Sequence, residues 1–240
     1  MSLSLETTVC SAEANSYTDL DTAAAYFEAD PNLAQVWAGL EDEERMRLLI
    51  GASRAINRVR WKSSPLAQAA FKDFGLSQAL AFPRAYHPYR YGLAGSGSAT
   101  TLTDSSLADQ PAWPDDLFNG GAVLMTSGQN QGLIRAVTEF TSATGQLTLT
   151  AFPQAVAAGD AYFLIWPLEE VVVMACLEQA GHLISAGPDG LADLGARGVS
   201  SASVDGLSLS FDGRPVTELC ARARTLLKSH WPRGVKLERG

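Results

Sequence analysis

The sequence predicts an α+β fold: mainly an α-helical bundle with a C-terminal β-hairpin and an inserted small antiparallel β-barrel or sandwich. Three observations lead there. Apolar residues recur at helical spacing in the first 92 residues and again after Pro167. Between them, from Leu93-Ala94-Gly95-Ser96-Gly97-Ser98 onward, short apolar runs alternate with turn-forming residues. Near the C-terminus, two alternating segments flank Asp205-Gly206, a pair suited to a tight hairpin turn. The chain thus reads as a discontinuous helical domain (1–92 and 168–230), an inserted β domain (93–167) and a basic arm (231–240). An insertion of this kind has its two ends close together.

Each element has its own signal. Thr18-Asp19-Leu20-Asp21 fits a capping box with Thr18 as the cap, opening a helix through about Glu28 that Asp30-Pro31 stops. Glu41–Glu44 place negative charge at the start of a second helix, where the helix dipole favours it. Met46, Leu49, Ile50, Ser53 and Ile56 then form one stripe, with Arg45, Arg47, Arg54 and Arg58 between them. Strands are expected at Thr100–Thr103, Ala122–Ser127, Leu133–Phe140, Gln146–Ala151 and Ala161–Trp166, joined by turns such as Asn119-Gly120-Gly121 and Ala158-Gly159-Asp160. From Leu168 to about Ala186, Val171, Val172, Ala175, Cys176, Ala180 and Leu183 give a helix a broad apolar face. The hairpin of 199–211 follows, and Pro215 opens a last helix through about His230 that Trp231-Pro232 ends.

Composition narrows the function. At 240 residues the chain buries a good core. It holds no apolar run of eighteen residues and its first eight residues have neither a basic nor an apolar region. The expectation is a protein made in the cytoplasm, with no membrane partner. Cys10, Cys176 and Cys220 are odd in number and far apart, which argues against a disulfide framework or a zinc site. The net charge is −8, yet residues 214–240 hold seven Arg and Lys against two Glu, leaving the tail at +5 and the remainder at −13. That reversal suits a tail seeking an acidic partner, or equally a solvated helix face.

Catalytic signatures are not found. His87, His182 and His230 have no metal-ligand spacing, no GxSxG elbow singles out a serine, and Gly95–Ser98 lacks the lysine of a phosphate loop. No enzymatic activity, metal or cofactor is expected. Tyr86-His87-Pro88-Tyr89-Arg90-Tyr91 is the one aromatic and basic cluster. It reads as a packed connection into the β region. The alternative makes Tyr86, Tyr89 and Tyr91 stacking groups for single-stranded bases, with Arg84 and Arg90 on phosphates.

One order of residues is more particular than generic core. It runs Asn15-Ser16-Tyr17, Ala23-Ala24-Ala25-Tyr26-Phe27, Trp37, the helix Leu40–Ile50, Arg60-Trp61 and Gln78-Ala79-Leu80-Ala81-Phe82-Pro83-Arg84. It resembles the head-to-tail adaptor (head completion) proteins of tailed bacteriophages, with Phe82 where many relatives have Trp. Thr101–Asp104, Phe118–Gly121, Thr126–Gly132, Thr144–Leu149 and Ala157–Tyr162 are similar to β modules of phage virion proteins, and Ala223-Arg224-Thr225-Leu226-Leu227 is similar to the family's closing helix.

The resemblance implies a virion protein at the head–tail interface, acting in DNA packaging and ejection. Its subunits would form a homo-oligomeric ring, a dodecamer matching the portal, with double-stranded DNA passing through without sequence-specific binding. Partners would be the portal protein and the next tail or stopper protein. The portal-binding arm would fall on Trp231, Arg233, Lys236 and Arg239. Some members of that family carry a label of primosome-type single-stranded DNA binding, so the alternative function is a single-stranded DNA-binding protein of phage replication or recombination.

Overall fold

Alternation of side chains along Ala122–Met125 and Ala161–Ile165 decides the dominant element. Successive residues of a strand point to opposite faces, so a strand buried on both faces reads as an unbroken apolar run. Val123, Met125, Tyr162 and Leu164 enter one apolar core, whereas Ala122, Leu124 and Ile165 enter another, with Phe163 packed at its border. The sheet is therefore covered on both sides here.

The computed structural model describes residues 3–108, 110, 113–186, 201–204, 207–210 and 219–231. In chain order these include helices α1 (Leu20–Glu28), α2 (Ala34–Ala38), α3 (Asp42–Arg58) and α4 (Leu66–Ala70), and strands β1 (Tyr89–Leu93), β2 (Ser96–Gly97) and β3 (Thr101–Thr103). Helix α5 (Ser105–Ala108), strands β4 (Ala122–Met125), β5 (Ile134–Thr141), β6 (Gln146–Leu149) and β7 (Ala161–Ile165), and helix α6 (Glu170–Ala186) follow. Strands β8 (Ser201–Val204) and β9 (Leu207–Ser210) and helix α7 (Ala221–Leu226) complete the series. The chain divides into two compact units, one of Met1–Leu5, Ser16–Arg60 and Val171–Gly240, the other of Glu6–Asn15 and Trp61–Glu170.

The expected fold class, mainly a helical bundle, is not what forms. A curled, seven-stranded antiparallel sheet in the order β1-β7-β4-β5-β6-β3-β2 dominates, accompanied by several helices. The physical reason lies in the stretch after Arg60. There, apolar side chains form only the five-residue α4 and a 3₁₀ turn at Lys72–Phe74, too short to bury helical stripes of their own. Leu66 and Phe71, with Val9 and Cys10, instead cover the outer face of the sheet. The inner face closes over Leu102, Phe118, Val137, Phe140, Leu147 and Tyr162.

In the helical unit, Asp19 rather than Thr18 caps α1, its Oδ1 accepting from the Thr22 N–H at 2.7 Å. Thr18 is buried one step earlier, where its N–H and carbonyl both meet the Ser16 hydroxyl. The start of α3 follows its charge pattern: the Glu41 N–H donates to Glu44 Oε2 at 3.0 Å, and Arg45 and Arg47 pair with Asp42 and Glu43. Leu49, Ile50, Ser53 and Ile56 form its buried stripe, and the Ser53 hydroxyl accepts from the Tyr17 N–H at 3.1 Å. Gly181 of α6 permits close packing, since a Cβ there would lie 3.0 Å from Leu33 Cδ1. Strands β8 and β9 pair antiparallel from Ser201↔Ser210 to Val204↔Leu207.

Candidate nucleic-acid interface

The segment before β1 is tied down by its polar residues. Gln78 is buried, its Oε1 accepting from the Ala67 N–H at 3.2 Å while Nε2 donates to the carbonyls of Leu80 (2.8 Å) and Pro83 (3.0 Å). Arg84 is buried beside it and donates to the carbonyls of Lys62 (3.1 Å) and Ala81 (2.8 Å). Trp61 packs on Phe82 at 5.1 Å between ring centroids.

His87 makes the next attachment. Its Nε2 lies 3.0 Å from the Trp166 carbonyl, which can only accept, so Nε2 carries the proton, and Nδ1 faces the Glu169 carboxylate at 3.9 Å. Burial holds the imidazole below its ordinary value, against the opposing influence of the Trp166 carbonyl and Glu169. Tyr86, just before it, is exposed, with its phenol pushed up to about 12 by partial burial and then by Glu169.

Strand β1 is an edge of the sheet, paired to β7 with Tyr91 opposite Phe163. Its two sides differ sharply. Tyr89, Tyr91 and Leu93 share the outer face and are 42%, 55% and 52% exposed, high values for large apolar groups. Phe163 lies beside both tyrosines, with centroids 5.6 Å from Tyr89 and 5.7 Å from Tyr91. Phe71 and Phe74 support that ring from the 3₁₀ segment. The result is a continuous aromatic strip with two half-exposed tyrosines.

The inner side of β1 is fastened instead. The Arg90 guanidinium stacks over Trp113 at 5.4 Å and reaches the Ser106 carbonyl and hydroxyl at 3.4 and 3.3 Å. Gly92 lies directly over the buried Tyr162 hydroxyl, which donates to Asp104 Oδ2 at 2.8 Å. Burial and that carboxylate raise the Tyr162 pKa, keeping the phenol a donor.

Of the five residues assigned to single-strand contact, the structure thus gathers Tyr89 and Tyr91, leaves Tyr86 exposed just upstream, and turns Arg84 and Arg90 to structural partners. Phe163 was missed by sequence reasoning, because Ala161–Ile165 reads as a core strand throughout. Its odd position relative to Tyr162 and Leu164 was the available signal. Of the arm residues, Trp231 is half-buried after the 3₁₀ turn Leu227–His230, while Arg233, Lys236 and Arg239 lie outside the described residues.

The helical unit offers a different concavity, a cleft of about 370 Å³ whose lining includes Tyr26, Asp30, Glu178, His182 and Arg222. Its central carboxylate is already engaged: Glu178 pairs with Arg222 at 3.3 Å and accepts from the Tyr26 phenol, helping burial push that phenol up to about 12.

Residues 1–94 match a protein family described as "Putative DnaT-like ssDNA binding protein". No curated protein and no solved structure matches the chain. The family match covers 94 of the 240 residues, and β1 lies within it. It overturns the resemblance to head-to-tail adaptors, which rested chiefly on residues 15–84 of the same stretch. With that resemblance go the virion, packaging and ejection roles, the portal and tail partners, the ring, and the passage of double-stranded DNA. The physical reason is that the residues carrying it are packing residues. Tyr17, Phe27, Trp37, Trp61, Gln78, Phe82 and Arg84 are all buried, so their order reports how the N-terminal stretch folds.

Proposed function

We propose that the chain is a single-stranded DNA-binding protein, non-enzymatic, whose contact surface is the exposed outer row of β1, Tyr89 and Tyr91, with the half-buried Phe163 of β7 beside it. The observation that carries this reading is the pair of half-exposed tyrosines, Tyr89 and Tyr91, beside Phe163 at an edge of the sheet. Aromatic rings on an open sheet stack on bases of any sequence, and such contacts are worth roughly 1–3 kcal/mol per base. The description of the family matched by residues 1–94 supports the same ligand. A binding role also accords with the buried thiols: burial raises Cys10 and pushes Cys176 up to about 11, away from the thiolate a nucleophile needs.

The electrostatics give this reading a distinct character. Residues 61–170 hold five Lys and Arg against nine Asp and Glu, so phosphate attraction contributes little there. Fluorescence anisotropy with a labelled oligodeoxythymidine tests the proposal. Tyr91→Ala should weaken binding roughly 5- to 150-fold, the equivalent of one lost base stack. The double variant with Tyr89→Ala should weaken it further, with circular dichroism unchanged. Undiminished affinity in the double variant would refute the assignment.

A further inference from the structure

Side-by-side rings on a flat strand make a demand on the conformation of the nucleic acid. Residues two apart in a strand are separated by about 6.7 Å, the spacing of Tyr89 and Tyr91 along β1. Bases in a stacked strand repeat at about 3.4 Å and lie face to face. A base lying flat on Tyr89 and its neighbour lying flat on Tyr91 therefore cannot also be stacked on one another. Phe163, opposite Tyr91 and within 5.7 Å of it, widens the surface sideways rather than supplying an intercalating wedge.

Cations that would favour the phosphate backbone over the bases are few beside the strip: Lys72 is exposed next to Phe71, and the two arginines of the cluster are turned away. Arg90 is on the opposite face of β1, held by Ser106 and Trp113, and Arg84 is buried on the Lys62 and Ala81 carbonyls. Contact with the bases must then supply most of the affinity, and the unstacking must be inexpensive.

Resting on the single-strand reading above, we infer that the strip selects drawn-out, unstacked, pyrimidine-rich single strands and holds them mainly by their bases. Thymine and cytosine stack on their neighbours more weakly than adenine, so a pyrimidine run reaches the drawn-out form at least cost. Each phosphate contact adds about 0.7 to the salt slope of single-strand binding, and the few cations beside the strip predict a slope of no more than about two for contact made there.

The test is equilibrium titration of the full chain with oligodeoxythymidine, oligodeoxycytidine, oligodeoxyadenosine and an abasic oligomer of equal length, each over a range of salt. The expected result is binding of the two pyrimidine oligomers at least about fivefold tighter than oligodeoxyadenosine, and of the abasic oligomer at least about tenfold weaker than oligodeoxythymidine. Tyr91→Phe should keep the pyrimidine preference and Tyr91→Ala should reduce it. Equal or tighter binding of oligodeoxyadenosine, or abasic binding as tight as oligodeoxythymidine, would overturn the inference while leaving single-strand binding in place. Failure to bind any of the four would overturn both.

Discussion

Arg84 and Tyr91 stand seven positions apart, and the structure gives them opposite tasks. Arg84 is 5% exposed with its guanidinium on two backbone carbonyls, so removing it loses charged hydrogen bonds and leaves a gap where the side chain packs. Arg84→Ala should lower stability by about 2–3 kcal/mol in urea denaturation. Once folded, the variant should bind single-stranded DNA as the parent does; a selective loss of binding would restore Arg84 as a phosphate contact. His87 predicts a pH effect of definite sign. Its folded pKa is depressed below the ordinary imidazole value of about 6.5, so the unfolded chain takes up the proton first. Its contribution to stability is complete above about pH 6.5 and is lost as the pH falls below that value. His87→Gln should flatten this decline in denaturation midpoints measured from neutral to mildly acidic pH, and an unchanged decline would assign it to other groups. The aromatic–basic cluster was legible as a cluster, but sequence could not divide it. Alternation along β1 sends Tyr89 and Tyr91 one way and Arg90 the other, and only the pairing with β7 settles which face is buried.

At the scale of the element, β1 depends on one glycine. A Cβ at Gly92 would lie 2.5 Å from the Tyr162 hydroxyl and 2.7 Å from Asp104 Oδ2, and the buried hydrogen bond between those groups leaves them little room to retreat. Gly92→Ala should therefore destabilise the sheet by about 1–3 kcal/mol and, by lifting the edge strand, weaken single-strand binding as well. A variant with parental stability and affinity would show that β1 is not fixed at this point. Other elements were plainer in the sequence. The strands expected around 100–103, 122–127, 133–140, 146–151 and 161–166 coincide with β3 to β7 because Gly and Asn mark the turns between them. Strand β1 was missed although Tyr89, Tyr91 and Leu93 alternate with Arg90 and Gly92. Its larger side chains form the exposed row, and the segment reads equally well as a packed connection until its pairing with β7 is seen. The α1 cap moved from Thr18 to Asp19 for a related reason: either residue can cap, and the tertiary packing of Thr18 decided between them.

For the whole molecule, the main misreading was of proportion. The helical periodicities of 42–58 and 170–186 were real, and both helices form over 17 residues. Sequence could not show that the apolar residues of 61–76 would be spent on the sheet rather than on a helical core, because that depends on contacts between Phe71 and Phe163, far apart in the chain. The same contact completes the aromatic strip, so the fold and the proposed site were hidden for one reason. Under the proposed function, the acidic balance of residues 61–170 fits a surface that grips bases and attracts phosphates weakly. The most direct measurement is photo-crosslinking of the full chain to a bromodeoxyuridine-substituted single strand, with the adducts mapped by peptide mass spectrometry. Adducts at Tyr89, Tyr91 and Phe163 are predicted. Adducts confined to other segments, such as the basic stretch 214–240, would contradict the account.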